Sequence, residues 1–265
     1  MDLDVKTALL TGFSRLAARS NLSGVTITDD DLSLNGSATG PTLPLVQYGL
    51  SMSGAEMGHN AAAIPGTVNS QYTYNPISWY GFARSNGLRH FRIPFLAERA
   101  AVKLDELMAH VAQVLAVADD ITVTLDMHNY SRRFIDGVEQ QLGAGWTNSA
   151  YAAEWVAIAS HATVKNNPRV SFDLMNEPHD LSGYANDRAA AAATEASHQA
   201  AVTALRAAGV TNELKVEPYS WAATRRVAEL HPSWWIDDPL KRTILSCHLY
   251  FDYSGEYANS YEQEE

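Results

Sequence analysis

Short apolar runs alternate along this chain with longer segments in which apolar residues recur every three or four positions. The short runs have the length of buried strands, and the longer segments have the spacing of amphipathic helices. Predicted strands lie at residues 46–50, 90–94, 121–126, 170–174, 214–217 and 243–247. Predicted helices lie at residues 76–87, 103–118, 149–164, 188–208 and 222–230. Strands that alternate with helices in this way predict an α/β fold with a parallel sheet.

The number of strand–helix units indicates how much of a closed barrel the chain can form. A closed (β/α)8 TIM barrel has eight units, whereas this pattern contains about six, and only residues 248–265 follow the last predicted strand. We therefore expect residues 45–265 to form a partial TIM-barrel domain that stops before its seventh strand. Residues 1–44 have a different pattern with a turn rich in glycine at 36–41, and we interpret them as an N-terminal extension or linker.

Composition excludes several classes of protein. The 265-residue chain has no run of about 18 consecutive apolar residues, so we expect no transmembrane helix. Its formal net charge of −11 argues against nucleic acid or an anionic membrane as the main partner, because both are bound through Lys and Arg. Cys247 is the only cysteine, which excludes an intrachain disulfide and a cysteine-rich zinc site. We expect it to be a buried, unreactive thiol.

The end of the fourth predicted strand carries the most informative motif, Asn176-Glu177-Pro178. Pro178 has no N–H to donate, so the strand ends there and holds Glu177 at its carboxyl end. In a parallel barrel, catalytic residues lie at this end of the strands. A Glu beside an Asn suits proton transfer to a sugar oxygen, with the amide contacting a neighbouring hydroxyl group. The alternative is a loop carboxylate that only caps backbone N–H groups.

Other polar and aromatic residues follow the remaining predicted strands and would form a ring around one mouth of the barrel: Arg92, His128, Asn129, Trp221, His248 and Tyr250. Several have a simpler alternative. Arg92 would be structural if it only pairs with an acidic neighbour, and His128 would be structural if it is a satisfied core histidine. Tryptophans pack into cores at least as often as they bind sugars, so Trp221 is the least specific member of this set.

Five segments occur in an order and spacing that resemble a known family: residues 49–56, 92–95, 126–130, 174–178 and 248–250. Together they are similar to glycoside hydrolase family 5, and within it to the bacterial and fungal endo-β-1,4-glucanases, over about residues 45–265. This resemblance implies a TIM barrel that hydrolyses β-1,4-glucosidic bonds in cellulose or a related β-glucan by a retaining mechanism, with no cofactor or metal. It also implies a secreted parent protein whose partner is a polysaccharide or oligosaccharide.

The resemblance also implies a role for each residue at the predicted mouth of the barrel. Glu177 would be the general acid/base, which protonates the leaving glycosidic oxygen and later activates water. The other residues would bind substrate or orient the catalytic groups: Asn176 at the 2-hydroxyl group, Arg92 at the nucleophile, His128 and Asn129 in the same subsite, His248 at the acid/base, Tyr250 near the nucleophile and the ring oxygen, and Trp221 on a sugar face.

The sequence departs from the family pattern after Tyr250. The family nucleophile is a Glu at the end of the seventh strand, with a Trp at the eighth, and we find neither. Glu256, Glu262, Glu264 and Glu265 follow Tyr250 too closely for a strand to intervene. We therefore expect the nucleophile to be missing from this chain, which would be the N-terminal part of a complete enzyme.

Two other functions are compatible with the pattern. His128, Glu177, His179 and His248 are residue types that bind metals, so a metal-dependent barrel hydrolase is one alternative. An inactive carbohydrate-binding barrel fragment is the other. Activity that survives metal removal would exclude the first alternative, and sugar binding without hydrolysis would support the second.

Overall fold

In the computed structural model, strands and helices alternate through residues 47–249, the part of the chain that the structure describes. In chain order the elements are β1 (Gly49–Ser51), α1 (Ile77–Ser85), β2 (His90–Phe95), α2 (Ala97–Leu115), β3 (Thr122–Met127), β4 (Arg132–Ile135), β5 (Val138–Gln141), α3 (Asn148–Ala159), β6 (Val170–Asp173), α4 (Asp187–Ala207), β7 (Leu214–Val216), α5 (Val227–Leu230) and β8 (Thr243–Leu245). A short 3-10 helix at Thr224–Arg226 precedes α5.

Six of the eight strands in this part of the chain form one parallel sheet, with the order β1-β2-β3-β6-β7-β8. These six strands lie in the sheet in the order in which they occur along the chain. Each connection returns the chain to the same end of the next strand, which makes neighbouring strands parallel. The other two strands, β4 and β5, pair with each other as an antiparallel hairpin. This arrangement confirms the predicted α/β class and is that of a partial (β/α)8 barrel.

The two faces of the sheet differ in polarity because successive side chains point to opposite faces. In β2, Phe91, Ile93 and Phe95 are buried in the apolar core, whereas Arg92 alternates with them on the other face. The neighbouring strands place further polar side chains on that second face, namely Thr124, Asp126, Ser171, Asp173 and Lys215. The sheet therefore has an apolar outer face and a polar inner face. The polar side chains of the inner face continue to the carboxyl ends of the strands.

Side-chain caps set the start of two helices. The Asn186 side chain accepts a hydrogen bond from Ala189 N at 3.0 Å at the start of α4, and Thr147 accepts one from Ala150 N at 3.2 Å at the start of α3. Such caps satisfy N–H groups that have no partner within the helix. The predicted starts of both helices, at residues 188 and 149, are confirmed to within one residue.

Helices α1 and α2 begin without a side-chain cap from the residue that precedes them. Helix α1 begins at Ile77, within one residue of the predicted start, and the neighbouring Asn75 Nδ2 donates to the carbonyl of Ser53 at 2.8 Å. Helix α2 is kinked at Lys103, whose φ of −134° and ψ of 33° are not helical, so the predicted start at residue 103 coincides with this kink. The unpredicted part is the helical segment before it, which begins at Ala97, where Asn129 Oδ1 accepts a hydrogen bond from Ala97 N at 2.8 Å. This cap comes from a loop far along the chain, so local sequence spacing does not reveal it.

The β4–β5 hairpin was not predicted. Asp136 and Gly137 join its strands, and their φ angles of +52° and +77° lie in the left-handed region. An Asp-Gly pair between two strands is a strong signal for a two-residue hairpin turn. The signal was therefore present in the sequence, although the strand pattern described above does not include it.

Several predictions concern residues outside 47–249. Tyr250, the proposed extension at residues 1–44 and the acidic residues from Glu256 onward lie there. Within the described range, no helix is both long and apolar enough to cross a bilayer. Cys247 is half-buried rather than fully buried, and its burial, together with the charge of Glu217, raises the pKa of its thiol to about 12. The thiol is therefore protonated at neutral pH.

Candidate active site

Glu177 lies just beyond β6, at the carboxyl end of the sheet, as the sequence predicts. Its φ of +41° places the backbone in the left-handed region, which residues other than glycine rarely occupy. Its N–H donates to Glu217 Oε2 at 2.7 Å, and its Oε1 lies 2.5 Å from His248 Nδ1. The surrounding structure therefore holds both the backbone and the carboxylate of Glu177, as is common where backbone strain occurs at functional sites.

Backbone hydrogen bonds join the three loops that carry these residues. The carbonyl of Pro178 accepts from the N–H groups of Ser220 and Trp221, at 2.8 and 3.2 Å. Ser220, Trp221 and Ala222 have φ angles of +76°, +58° and +54°. The carbonyl of Ala222 accepts in turn from His248 N at 2.9 Å. The loops after β6, β7 and β8 thus form one hydrogen-bonded unit at the mouth of the sheet.

Arg92 connects this unit to the inner face of the sheet. Its guanidinium lies 3.0 Å from Asp126, 3.3 Å from Asp173 and 2.9 Å from Glu217, and it donates to Asn176 Oδ1 at 2.8 Å. Burial would lower the pKa of Arg92, but the three carboxylates outweigh that effect and raise it. Arg92 therefore does pair with acidic neighbours, and this pairing fixes it within the site.

Asp173 is the carboxyl group in this cluster that resists ionisation. Its burial and the negative charges of Glu217 and Asp126 raise its pKa well above the usual range, although Arg92 opposes this shift. One guanidinium does not balance three buried negative charges. Protonation of Asp173 relieves part of that repulsion and leaves Arg92 to pair with the other two carboxylates.

Glu217 is a site residue that the sequence prediction missed. Its side chain is 0% exposed and contacts Arg92, the Glu177 backbone and His248, whose Nε2 lies 3.2 Å from Glu217 Oε1. The sequence contained a signal for it. Glu217 ends the predicted strand 214–217, two positions after Lys215, so strand alternation places both side chains on the polar inner face.

His248 lies between two carboxylates. Burial would lower the pKa of this imidazole, but hydrogen bonds to Glu177 and Glu217, together with their charges, raise it to about 10. His248 is therefore a cation at neutral pH. The family resemblance implied that His248 would hydrogen-bond to the acid/base candidate, and His248 Nδ1 lies within hydrogen-bond distance of Glu177.

A row of aromatic rings lies beside these carboxylates. His128 Nδ1 lies 2.6 Å from Asp126 Oδ2, and its Nε2 lies 2.9 Å from the Tyr130 hydroxyl. Tyr130 contacts His179 edge to face, and His179 stacks on Trp221 with 4.7 Å between ring centroids and 13° between planes. Trp221 is 44% exposed, so it is not a core tryptophan. The row gives the site a flat, partly exposed edge.

Asn129 is engaged elsewhere. It is buried, its Oδ1 caps Ala97 N, and its Nδ2 donates to Glu98 at 2.8 Å and to the Arg132 carbonyl at 3.0 Å. These contacts fix the start of α2 and the loop after β3. A direct contact between Asn129 and substrate therefore stays an untested prediction, and the structure gives this residue a structural role.

Within residues 47–249, no group of three or more His, Cys, Asp or Glu side chains could hold a metal ion. The histidines named for this alternative contact other groups, with His128 on Asp126 and Tyr130 and His179 stacked on Trp221. The described residues give no support to the metal-dependent alternative.

Comparison with known proteins assigns the family. The family described as "Cellulase (glycosyl hydrolase family 5)" matches residues 52–265. The chain therefore belongs to glycosyl hydrolase family 5, which confirms the resemblance seen in its motifs.

The chain is 29% identical to the manganese dependent endoglucanase Eg5A of Phanerodontia chrysosporium over 209 residues, which cover 72% of this chain and 50% of that protein. It is 33% identical to endoglucanase 1 of Robillarda sp. over 193 residues, which cover 63% of this chain and 48% of that protein. The structure of Pseudomonas stutzeri endoglucanase Cel5A in complex with cellobiose matches with a TM-score of 0.65 and 28% identity, covering 80% of this chain and 62% of that one. The chain spans about half the length of the two curated relatives.

Proposed function

We propose that this protein acts in the hydrolysis of β-1,4-glucosidic bonds in cellulose or a related β-glucan, with Glu177 as the general acid/base of a retaining mechanism. Family membership and the endoglucanases among its relatives support this activity. The observation that carries the proposal is the contact of Glu177 with His248, beside Arg92 and Asn176, at the carboxyl end of a parallel sheet.

Glu177 has the surroundings that a proton-transferring carboxylate requires. An acid/base residue gives a proton to the leaving oxygen and later takes one from water, so it must be held firmly near the bond that breaks. His248 contacts its carboxylate and Glu217 binds its backbone N–H, which fixes both ends of the residue. The side chain lies at the carboxyl end of the sheet and is 11% exposed.

Asn176 is suited to bind a sugar hydroxyl group. Its Oδ1 accepts from Arg92 at 2.8 Å, which sets the orientation of the amide. Its Nδ2 is buried and has no hydrogen-bond partner among the described residues. An unpaired buried donor costs about 1–3 kcal/mol, and a substrate hydroxyl group at this position would recover that energy. This supports the role predicted for Asn176.

The row of rings supports a neutral, polymeric substrate. Trp221 and His179 stack face to face at the exposed edge of the site, and an indole face packs well against the apolar face of a sugar. The formal net charge of −11 gives no electrostatic reason to bind an anionic polymer. We therefore propose a β-glucan oligosaccharide or polysaccharide as the partner, and a secreted parent enzyme.

The nucleophile is the part of the mechanism that residues 47–249 leave open. Retaining hydrolysis requires a second carboxyl group about 5 Å from the acid/base. Glu217 is unsuited to attack a sugar, because it is fully buried and both of its oxygens already accept hydrogen bonds. We propose that the nucleophile comes from outside residues 47–249.

Two measurements on this chain test the proposal. Calorimetry with cellotetraose is expected to detect binding that Glu177→Gln preserves, and a reducing-sugar assay on a soluble cellulose derivative reports hydrolysis. Binding without hydrolysis would support a nucleophile supplied from beyond this chain. Hydrolysis abolished by Glu177→Gln would confirm the acid/base and show that the chain provides its own nucleophile. Absence of both binding and hydrolysis would overturn the proposed function.

A further inference from the structure

Three hydrogen-bond donors from different parts of the fold converge on the carboxylate of Glu217. Arg92 from β2 donates to Oε1 at 2.9 Å, the backbone N–H of Glu177 donates to Oε2 at 2.7 Å, and His248 Nε2 lies 3.2 Å from Oε1. The side chain is completely buried, so it does not touch solvent or a bound polymer directly. Any effect of Glu217 on chemistry must therefore pass through the groups that it binds.

The contacts of His248 define its protonation state. Nδ1 faces Glu177 Oε1 and Nε2 faces Glu217 Oε1, and an ionised carboxylate can only accept hydrogen bonds. While both carboxylates are ionised, both ring nitrogens must therefore carry a proton, so the imidazole is a cation that bridges them. A neutral imidazole would leave one of its nitrogens facing a carboxylate with no proton between them.

We propose that Glu217 is a positioning residue for the acid/base: it holds His248 as a doubly protonated imidazolium against Glu177 and fixes the Glu177 backbone. This inference rests on the proposed function of Glu177. The imidazolium then donates a hydrogen bond to the Glu177 carboxylate in the ionised form that remains after Glu177 has given its proton to the leaving oxygen. Without Glu217, His248 would keep only one carboxylate partner and the Glu177 N–H would lose its acceptor.

Other charged groups act on this bridge from every neighbouring strand. They are Arg92 from β2, Asp126 from β3, Asp173 from β6 and Lys215 from β7. Of these, Arg92 binds Glu217 directly, whereas the described contacts join none of them to His248. A Glu217 variant must therefore be compared with a variant that removes another carboxylate bound to Arg92, one that does not contact the His248 imidazole.

The decisive experiment is an NMR titration of the His248 imidazole nitrogens in the wild-type chain and in Glu217→Gln. In the wild type, both nitrogens are expected to remain protonated at pH 8. In Glu217→Gln, the pKa of His248 is expected to fall by about 1–3 units, the usual effect of removing one adjacent opposite charge. This measurement needs neither substrate nor activity.

Asp126→Asn is the matched control, because it removes a carboxylate that shares Arg92 with Glu217 but does not contact His248. A shift of less than about one unit is expected, since Asp126 is no direct neighbour of the imidazole. Equal shifts in the two variants would overturn the proposal. If Glu217→Gln fails to fold, the wild-type titration still decides, since a His248 with only one protonated nitrogen at pH 8 would overturn it.

Calorimetry separates this inference from the function on which it rests. Because Glu217 is fully buried, its replacement by Gln is expected to change the affinity for cellotetraose less than about threefold, while a direct sugar-binding residue would change it more. A loss of binding as large as that of Asn176→Ala would contradict a positioning role. A chain that never binds cellotetraose but shows the His248 shift would overturn the proposed function and leave the Glu217–His248 bridge intact.

Discussion

The ends of β3 and β6 carry similar sequences but differ in what their side chains do. Asp126 and Asp173 are paired by register across these neighbouring strands, and an Asn follows each of them three residues later. Asn129, after β3, uses its amide to cap Ala97 N and to bind protein groups. Asn176, after β6, keeps its Nδ2 without a partner among the described residues. At matching positions, the Asn129 amide therefore has a structural role, whereas the NH2 group of the Asn176 amide is available to a ligand.

The difference comes from the groups that lie next to each strand end. The first N–H groups of α2 lie beside the end of β3, and unpaired helix N–H groups attract a side-chain acceptor. At the end of β6, Arg92 occupies the amide oxygen of Asn176 instead, which turns the NH2 group towards the site. Position at a strand end therefore predicts that a residue lies near the site, but only its neighbours determine whether it faces substrate.

The largest effect is expected for Glu177→Gln, which tests the β6 end of this comparison. Loss of general acid/base catalysis is expected to lower the rate of hydrolysis by about 10²–10⁴-fold. The rate is measured as reducing sugar that the protein releases from a soluble cellulose derivative. Glu139→Gln, on the exposed strand β5, serves as the control. Equal rates in Glu177→Gln and the wild type would contradict the assignment.

Asn176→Ala is expected to weaken the binding of cellotetraose about tenfold, because one hydrogen bond to a sugar hydroxyl group is lost. Calorimetry measures this change and does not depend on the nucleophile. The melting temperature is expected to fall by less than in Asn129→Ala, because the Asn176 side chain loses one hydrogen bond, from Arg92 to its Oδ1, whereas the Asn129 side chain loses three. Unchanged affinity would show that Asn176 does not contact the sugar.

Asn129→Ala is expected to show the opposite pattern. It leaves Ala97 N and Glu98 without their amide partner, and should cost about 1–3 kcal/mol of unfolding free energy. For a domain of this size, each kcal/mol lowers the melting temperature by about 2–4 °C, which calorimetric scanning detects. Asn86→Ala, at an exposed helix end, is the control. Affinity for cellotetraose that fell in parallel with Asn176→Ala would break the contrast between the two amides.

The smallest effect is expected from metal removal. Dialysis against EDTA should leave cellotetraose binding and any hydrolysis unchanged, because the described residues form no metal-holding cluster. One relative of this chain is named a manganese dependent endoglucanase, which makes the measurement worthwhile. Activity that disappears with EDTA and returns with Mn²⁺ would contradict the prediction and restore the metal-dependent alternative.

Sequence reasoning placed the six strands of the parallel sheet well because each coincides with a short apolar run, but it did not include the two strands of the hairpin. It placed Glu177, Asn176, Arg92 and His248 in one region because the ends of parallel strands meet at one edge of the sheet. It missed Glu217 because that residue was counted as the last position of a strand rather than as a side chain on the inner face. It could not foresee the amide of Asn129 at the start of α2, since that contact joins segments distant in the chain.

The left-handed run at residues 220–222 has a consequence for how this protein can diversify. Backbone bonds to the Pro178 carbonyl hold the run in place, so the position of residue 221 does not depend on the packing of its own side chain. A β-branched residue is disfavoured there by the backbone angle, whereas another unbranched aromatic residue meets no such penalty. The ring that we propose to contact the β-glucan can therefore be exchanged while the backbone beneath it stays the same.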